Sequence, residues 1–159
     1  MSNAIPPRPR LATSIKRQFA IVASQFNVQF VQGLIDHITA ELRVLAANSR
    51  VSLHQVPGAF EIPIVVQELA ARKKADVIIA VGVILQGQTK HAEHLGRSVT
   101  DALQRISLEH SVPIINVVLS LDNEMQARER CLDNEINRGT EAARAAVQMA
   151  SLMLELREG

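Results

Sequence analysis

The sequence predicts an α/β fold: a three-layer αβα sandwich whose central, four-stranded parallel sheet has helices on both faces. Short apolar runs alternate along the chain with segments in which apolar residues recur at helical spacing. Such alternation is typical of a parallel sheet with right-handed crossovers. Most of the strand candidates are continuous apolar runs, as expected of strands buried on both faces. With 159 residues, 47% of them hydrophobic, the chain can bury one sizeable core.

The first half of the chain predicts two strand–helix units. Residues 19–23 form a short apolar run and indicate a buried strand, and apolar residues at helical spacing indicate a helix over 28–47. Residues 51–56 alternate between apolar and polar and indicate the second strand. The second helix, at 61–73, has Pro63 in its first turn, where proline is tolerated.

The second half predicts two further strands and the remaining helices. Asp122 or Asn123 can cap the helix that follows the fourth strand. The segments are strands at 76–82 and 113–119, a helix from about 90 to 109, a helix that breaks near 132–138, and an alanine-rich helix from about 139 to 156.

Composition and the N-terminal segment indicate the domain organisation, the classes of partner and the cellular compartment. The proline-rich residues 1–13 predict an extended or disordered N-terminal arm ahead of a single domain at 14–159. Seventeen basic and sixteen acidic residues give a net charge of +1, which argues against nucleic acid as a partner. The lone Cys131 excludes an intramolecular disulfide. Because no apolar run reaches the length of a membrane span and the arm lacks the apolar segment of a secretion signal, we expect a cytoplasmic location and no membrane partner.

Candidate chemistry lies where strands end, since open α/β sheets bind ligands at the carboxyl edge of the sheet. After the third strand, Gly87-Gln88-Thr89 opens a helix and can offer backbone N–H groups and a hydroxyl to a phosphate. His91, in the first turn of that helix, is either a surface histidine or a residue that transfers protons. His91 and His94 share a helix face but have no evident third ligand, so we expect no metal site.

Two other loops offer an aromatic ring and a carboxylate. Phe26 follows the first strand and either packs on its own helix or stacks on a planar ligand. Glu61 begins a helix and either complements the helix dipole or accepts hydrogen bonds from substrate hydroxyls. Arg130 and Arg138, taken singly, are consistent with solvated surfaces. These features alone indicate an enzyme that acts on a small anionic molecule.

Several motifs, in matching order and spacing from about Phe19 to Leu154, carry a more specific likeness. They are Ser24-Gln25-Phe26-Asn27, Val56-Pro57-Gly58-Ala59-Phe60-Glu61-Ile62-Pro63, the stretch from Gly82 to His91, Gln126-Ala127-Arg128-Glu129-Arg130, and Asn137-Arg138-Gly139. Together they resemble the 6,7-dimethyl-8-ribityllumazine synthase family of riboflavin biosynthesis. This resemblance implies a flavodoxin-like arrangement of the predicted sandwich.

The resemblance also implies a reaction: 5-amino-6-(D-ribitylamino)uracil condenses with L-3,4-dihydroxy-2-butanone 4-phosphate to give 6,7-dimethyl-8-ribityllumazine, phosphate and water. No metal or organic cofactor is implied. By carry-over, His91 is the catalytic proton-transfer residue, Phe26 stacks on the pyrimidine, and Arg130 pairs with the phosphate. The other substrate-binding residues implied are Asn27, Ala59, Phe60, Glu61, Val83, Ile84, Leu85, Gln88, Thr89, Asn116 and Arg138.

Assembly is a further implication of the resemblance. Family members form homopentamers with active sites between subunits, some pack pentamers into icosahedral shells, and riboflavin synthase is a candidate protein partner. Three departures from the family pattern stand out: Gln86 replaces an Arg, Asn116 replaces a Phe that covers the pyrimidine from the neighbouring subunit, and 132–136 replaces a glycine-containing linker. They predict weakened pyrimidine stacking and leave open whether a pentamer, a decamer or a shell forms.

Two alternative functions remain at this point. Gln86 and Asn116 give some weight to a non-catalytic relative that binds a flavin or lumazine. The second alternative is a structural shell protein with a decayed pocket, against which Glu61, His91 and Arg130 argue. A flavodoxin-type electron carrier fits poorly, because it would be expected to surround its flavin with aromatic rings and this chain has neither Trp nor Tyr.

Overall fold

The computed structural model describes residues 3–10 and 16–159. Within them the strands are β1 (Gln18–Ser24), β2 (Arg50–Val56), β3 (Val77–Leu85) and β4 (Ile114–Leu121). The α-helices are α1 (Val28–Leu45), α2 (Ile62–Ala71), α3 (His91–His110), α4 (Glu124–Cys131) and α5 (Arg138–Glu158), and a 3₁₀ turn at Ala59–Glu61 leads into α2. The strands form one parallel sheet in the order β2-β1-β3-β4.

Side chains of the sheet alternate between two cores. Phe19 and Ile21 of β1 pack into the core under α1, α4 and α5. Ala20 and Val22, one position along, pack into the core under α2 and α3. Because each central strand is covered on both faces, its sequence is apolar throughout rather than alternating. The predicted three-layer αβα sandwich is therefore confirmed.

Several helix boundaries follow from local hydrogen bonds. Asn123 caps α4 by accepting from the backbone N–H of Gln126 at 2.9 Å, which decides between the two predicted caps. Asn137 caps α5 in the same way, accepting from the N–H groups of Gly139 and Thr140. The two caps fix where the chain turns between β4, α4 and α5, and the predicted break between the last two helices lies at 132–137.

The third strand is longer than the sequence indicated. The predicted strand stopped at Gly82, but β3 continues to Leu85 because Val83 and Leu85 pair with Leu119 and Leu121 of β4. Val83, Ile84 and Leu85 therefore belong to the sheet, which gives these candidate site residues a rigid support.

The N-terminal arm is described only in part, since the predicted segment 1–13 includes residues 1–2 and 11–13, which lie outside the described residues. In its described part, Arg8 Nε donates to Glu41 Oε1 at 2.8 Å, and Arg144 Nε donates to the same oxygen at 3.0 Å. Arg144 also donates to the carbonyl of Pro6. One carboxylate on α1 thus connects the arm to α5.

Among the described residues, we find no helix that combines the length and apolar character required to cross a membrane.

Candidate active site

A pocket of about 250 Å³ opens at the carboxyl ends of β1 and β3, beside the start of α3. Its position is the one expected for ligands of open parallel sheets. The lining residues are Ser24, Phe26, Asn27, Ala59, Val83, Ile84, Leu85, His91 and Leu95. All of them except Ser24 and Leu95 are predicted site residues, so the fold gathers half of the candidate site residues in one place.

Asn27 holds the turn between β1 and α1. Its backbone is left-handed, with φ 54° and ψ 47°, a conformation that Asn tolerates better than most residues. Its side-chain Nδ2 donates to the carbonyl oxygen of Val83 at 2.7 Å. The N–H groups of Phe30 and Val31 donate to the Asn27 carbonyl and start α1. Asn27 therefore joins the end of β1 to the end of β3 across the pocket.

Phe26 projects from this turn with 70% of its surface exposed, so it does not pack on its own helix. The loop after β2 lies against it at Gly58. A Cβ placed on Gly58 would be 3.3 Å from two ring carbons of Phe26 and 3.0 Å from Glu61 Oε2. The absence of a side chain at Gly58 thus allows the Phe26 ring and the Glu61 carboxylate to approach the same loop.

The predicted phosphate loop lies between β3 and α3. The N–H of Gln86 donates to the carbonyl of Leu121 at 2.9 Å, which anchors the start of the loop to β4. Gln88 and Thr89 are exposed, and a Cβ on Gly87 would meet open space. Thr89 Oγ1 accepts from the N–H of His91, the first residue of α3, at 3.4 Å. The loop presents the free N–H groups of a helix start to the solvent beside the pocket, an arrangement that suits an anion.

Phe60 and Glu61 lie at the edge of this site and do not line its pocket. Both belong to the 3₁₀ turn before α2. Phe60 is 68% exposed and faces a groove of about 350 Å³ between α2 and α3. Both residues therefore lie in the same short turn as the pocket residue Ala59.

Asn116 and Arg138 lie in a different pocket of the chain, about 260 Å³ in volume, between β4 and α5. Asn116 Oδ1 accepts from the N–H of Val118 at 3.0 Å. Arg138 is 5% exposed and forms an ion pair with Glu141. A single chain therefore does not bring these two predicted residues together with His91.

Arg130 lines neither pocket, but its surroundings are unusual. It lies on α4 with 15% of its side chain exposed. Among the described residues, its Nε and Nη1 have no hydrogen-bond partner, and a Glu129 carboxylate oxygen lies 3.7 Å from Nη1. Buried cationic N–H groups are normally paired, since leaving them unpaired is costly. The Arg130 guanidinium therefore has buried donors for which the described residues provide no hydrogen-bond acceptor.

Sequence reasoning missed Ser24 and Leu95 as pocket residues. Leu95 follows the apolar stripe of α3 and carries no separate signal. Ser24 does carry one, because it is a hydroxyl at the end of a strand buried along almost its whole length. Within the described part of the chain, no group of three or more His, Cys, Asp or Glu side chains could hold a metal ion.

Comparison with known proteins agrees with the family resemblance of the sequence motifs. A family model described as 6,7-dimethyl-8-ribityllumazine synthase matches residues 16–154. The chain is similar to the 6,7-dimethyl-8-ribityllumazine synthase of Leptothrix cholodnii, at 41% identity over 86% of this chain and 87% of the relative. The enzymes of that name from Methylibium petroleiphilum and Nitrosomonas europaea are 39% and 38% identical, each over 87% of this chain and over 85% and 82% of the relative.

Proposed function

Since the chain belongs to the 6,7-dimethyl-8-ribityllumazine synthase family, we propose that the pocket beside α3 is the active site of this transferase. The reaction joins 5-amino-6-(D-ribitylamino)uracil to L-3,4-dihydroxy-2-butanone 4-phosphate in riboflavin biosynthesis. The observation that carries the placement is the set of predicted residues, from Phe26 to His91, that line one pocket at the carboxyl edge of the sheet.

The chemistry needs proton transfer and alignment of two substrates. The amino group of the pyrimidine attacks the ketone and an imine forms with loss of water. Phosphate is then eliminated, and the ribitylamino nitrogen closes the second ring with loss of a second water. Among the described residues, His91 is the one titratable side chain that lines the pocket, and it carries the protons between these steps. Holding both substrates together accelerates the first step by converting it to an effectively intramolecular reaction.

The pyrimidine and its ribityl chain occupy the side of the site formed by β1 and the loop after β2. The exposed ring of Phe26 stacks on the pyrimidine, and the strand backbone at Val83–Leu85 lies along its edge. Asn27 orients this wall through its hydrogen bond to Val83. Ala59 and Phe60 flank the ribityl chain, and Glu61 accepts hydrogen bonds from its hydroxyls. Their place in one turn beside the pocket supports this assignment.

The phosphate binds at the start of α3, where Gln88 and Thr89 offer N–H groups and a hydroxyl. Arg130 of a neighbouring subunit completes the phosphate site with its guanidinium. The buried Nε and Nη1 of Arg130, which have no hydrogen-bond partner among the described residues, support this role, because a phosphate matches the geometry of a guanidinium. The loop has Gln86 where the family has an arginine, which leaves Lys90 and the Arg130 guanidinium as the cations proposed for this subsite.

We further propose that the site is completed between subunits of a homopentamer. The support is the separation of the predicted residues into two pockets, one with Phe26 and His91 and one with Asn116 and Arg138. In a ring of subunits each interface brings two different surfaces together, so these two pockets can face each other. Asn116 then covers the pyrimidine opposite Phe26 with an amide in place of a ring.

Assembly beyond the pentamer and cellular location complete the proposal. The linker between α4 and α5 is short, at 132–137, and by the family resemblance a short linker at this place permits a pentamer-based shell. A cytoplasmic location is supported by the free, buried Cys131, which is compatible with a reducing compartment. Riboflavin synthase is the proposed protein partner, because it would consume the lumazine product. The domain at 14–159 performs the reaction, and none of the described arm residues, 3–10, lines the pocket.

The direct test is formation of 6,7-dimethyl-8-ribityllumazine from the two purified substrates, followed by its absorbance and chromatography. We expect product and inorganic phosphate in equal amounts. Tight binding of riboflavin without product, at high enzyme concentration, would contradict the proposed reaction and favour a binding protein. Light scattering separates a pentamer from a shell built of many pentamers.

A further inference from the structure

Ser24 is the most buried polar side chain of the pocket. It is the last residue of β1 and is 3% exposed. Its Oγ has no hydrogen-bond partner among the described residues, yet the residue lines the pocket next to Phe26 and Asn27. A buried hydroxyl is normally hydrogen-bonded, so an unpaired one at the inner wall of a binding pocket calls for a physical reason.

The surroundings of Ser24 explain why no protein group pairs with it. A Cβ on Gly82 would lie 3.1 Å from Ser24 Oγ and 3.4 Å from atoms of Ile62 and Val118. Of the other residues that line the pocket, all but Asn27 and His91 are apolar, and the Asn27 amide donates to the carbonyl of Val83. Ser24 lies on the same face of β1 as Ala20 and Val22, which pack into the core under α2 and α3. An alanine at position 24 would therefore match this core better than serine does.

We propose that Ser24 is a specificity-determining residue, whose Oγ hydrogen-bonds to the non-reacting edge of the pyrimidine substrate. This inference rests on the proposed function. The pyrimidinedione ring carries carbonyl and N–H groups on the edge opposite its two amino substituents. A hydroxyl both donates and accepts and rotates to suit its partner, so Ser24 can pair with either type of group. The bound ring then supplies the partner that the folded chain lacks.

The kinetic consequence follows from where the contact is made. The non-reacting edge of the ring has nearly the same hydrogen bonds in the ground state and in the transition state. Loss of such a contact raises KM without a comparable change in kcat. The effect is confined to the pyrimidine, because the butanone phosphate binds at the start of α3.

The test compares Ser24→Ala with Ser107→Ala in the full-length assembled protein. Ser107 is a matched control, because its Oγ donates to the carbonyl of Val112 at 2.8 Å and lies outside the pocket. For Ser24→Ala we expect KM for the pyrimidine to rise about tenfold, with kcat and KM for the butanone phosphate within about twofold of wild type. We expect its melting temperature without ligand to stay equal or rise, because an unpaired buried hydroxyl is removed. Ser107→Ala should show the reverse: a lower melting temperature and unchanged KM.

Binding of the product, 6,7-dimethyl-8-ribityllumazine, gives a readout that does not depend on turnover. Fluorescence titration should give a dissociation constant about tenfold higher for Ser24→Ala than for wild type. An active wild type whose Ser24→Ala variant keeps its KM and its product affinity would overturn the inference and leave the proposed function intact. A melting temperature lowered in Ser24→Ala as in Ser107→Ala would also overturn it. A wild type that neither forms nor binds the product would overturn both.

Discussion

The side-chain amide of Asn27 donates a hydrogen bond of 2.7 Å to the carbonyl oxygen of Val83. Asn27 lies in the left-handed turn after β1, and Val83 lies near the end of β3. This bond fixes the spacing between the aromatic side of the proposed site and the strand edge along which the pyrimidine lies. Two strands that are neighbours in the sheet are thus also connected at their carboxyl ends, where the proposed site lies.

Replacing Asn27 should separate its two roles. Asn27→Gly removes the amide but keeps the left-handed turn, whereas Asn27→Ala removes the amide and also strains the backbone. We expect kcat/KM to fall about tenfold in both variants, and the free energy of unfolding to fall by about 1 kcal/mol more in the Ala variant. Steady-state kinetics and urea unfolding measure the two effects. Full activity in Asn27→Gly would show that the bond to Val83 does not shape the site.

Gly58 should be sensitive to a single added methyl group. In Gly58→Ala the new Cβ would lie 3.3 Å from the Phe26 ring and 3.0 Å from Glu61 Oε2, so one or both must move. We expect KM for the pyrimidine to rise about fivefold to twentyfold with the fold intact. If Gly58→Ala acts by displacing the Phe26 ring, the Gly58→Ala/Phe26→Ala double variant should raise KM for the pyrimidine by less than the product of the two single increases. Strictly additive losses would argue against that contact.

His91 should control turnover rather than affinity. His91→Ala removes the titratable group of the pocket, and we expect kcat to fall about 100-fold with KM little changed. His94 is the matched control, since it lies less than one turn further along α3, is exposed, and does not line the pocket. His94→Ala should keep kcat within about twofold of wild type. Equal losses in the two variants would remove His91 from its proposed role.

Glu41 should make stability depend on pH. Hydrogen bonding to Arg8, and more weakly the contacts with Arg144, lower the pKa of this carboxyl below its usual 4.5. A carboxyl with a lowered folded-state pKa stabilises the protein above its unfolded pKa, and that contribution is lost as the pH falls through the folded value. We expect Glu41→Gln to lower the free energy of unfolding by about 2 kcal/mol at pH 7.

The difference between wild type and Glu41→Gln should therefore shrink below pH 4.5, as measured by urea unfolding across the acid range. Glu68→Gln is the matched control, because Glu68 pairs with Arg72 on an exposed face of α2. That exposed pair should contribute less than about 0.5 kcal/mol. A pH-independent difference for Glu41 would show that its ion pairs with the arm and α5 do not form in solution.

The regular elements could be predicted from the sequence because their apolar periodicity is strong. The α1 stripe and the continuous apolar run of β3 leave little choice of structure, and Asn123 as a cap follows from residue chemistry. The extension of β3 to Leu85 could not be predicted, because it depends on pairing with β4 rather than on local pattern. Apolar periodicity within a segment does not show where that segment pairs with another strand.

The candidate site was predictable in part for a similar reason. Phe26 and His91 follow strand ends and meet because parallel strands present their carboxyl ends at one edge. The separation of Asn116 from that pocket depends on which edge of the sheet β4 occupies. The unpaired hydroxyl of Ser24 and the buried guanidinium of Arg130 depend on side-chain packing, which no spacing along the sequence encodes.

The most direct test of the central claim, a site shared between neighbouring subunits, is complementation between His91→Ala and Arg130→Ala. Each variant alone should be nearly inactive, because every site then lacks one group. In randomly mixed assemblies, a site is intact where a subunit with His91 meets a neighbour with Arg130, so about a quarter of the wild-type activity should return.

Wild type co-assembled with the His91→Ala/Arg130→Ala double variant provides the control. The shared site again predicts about a quarter of the sites intact, whereas a site within one subunit predicts about half. Two differently tagged chains, co-expressed and purified through both tags, give the mixed assemblies for the lumazine assay. Recovery to about a quarter in both mixtures is the result predicted by a shared site. No recovery from the two single variants, together with about half from the control mixture, would contradict it.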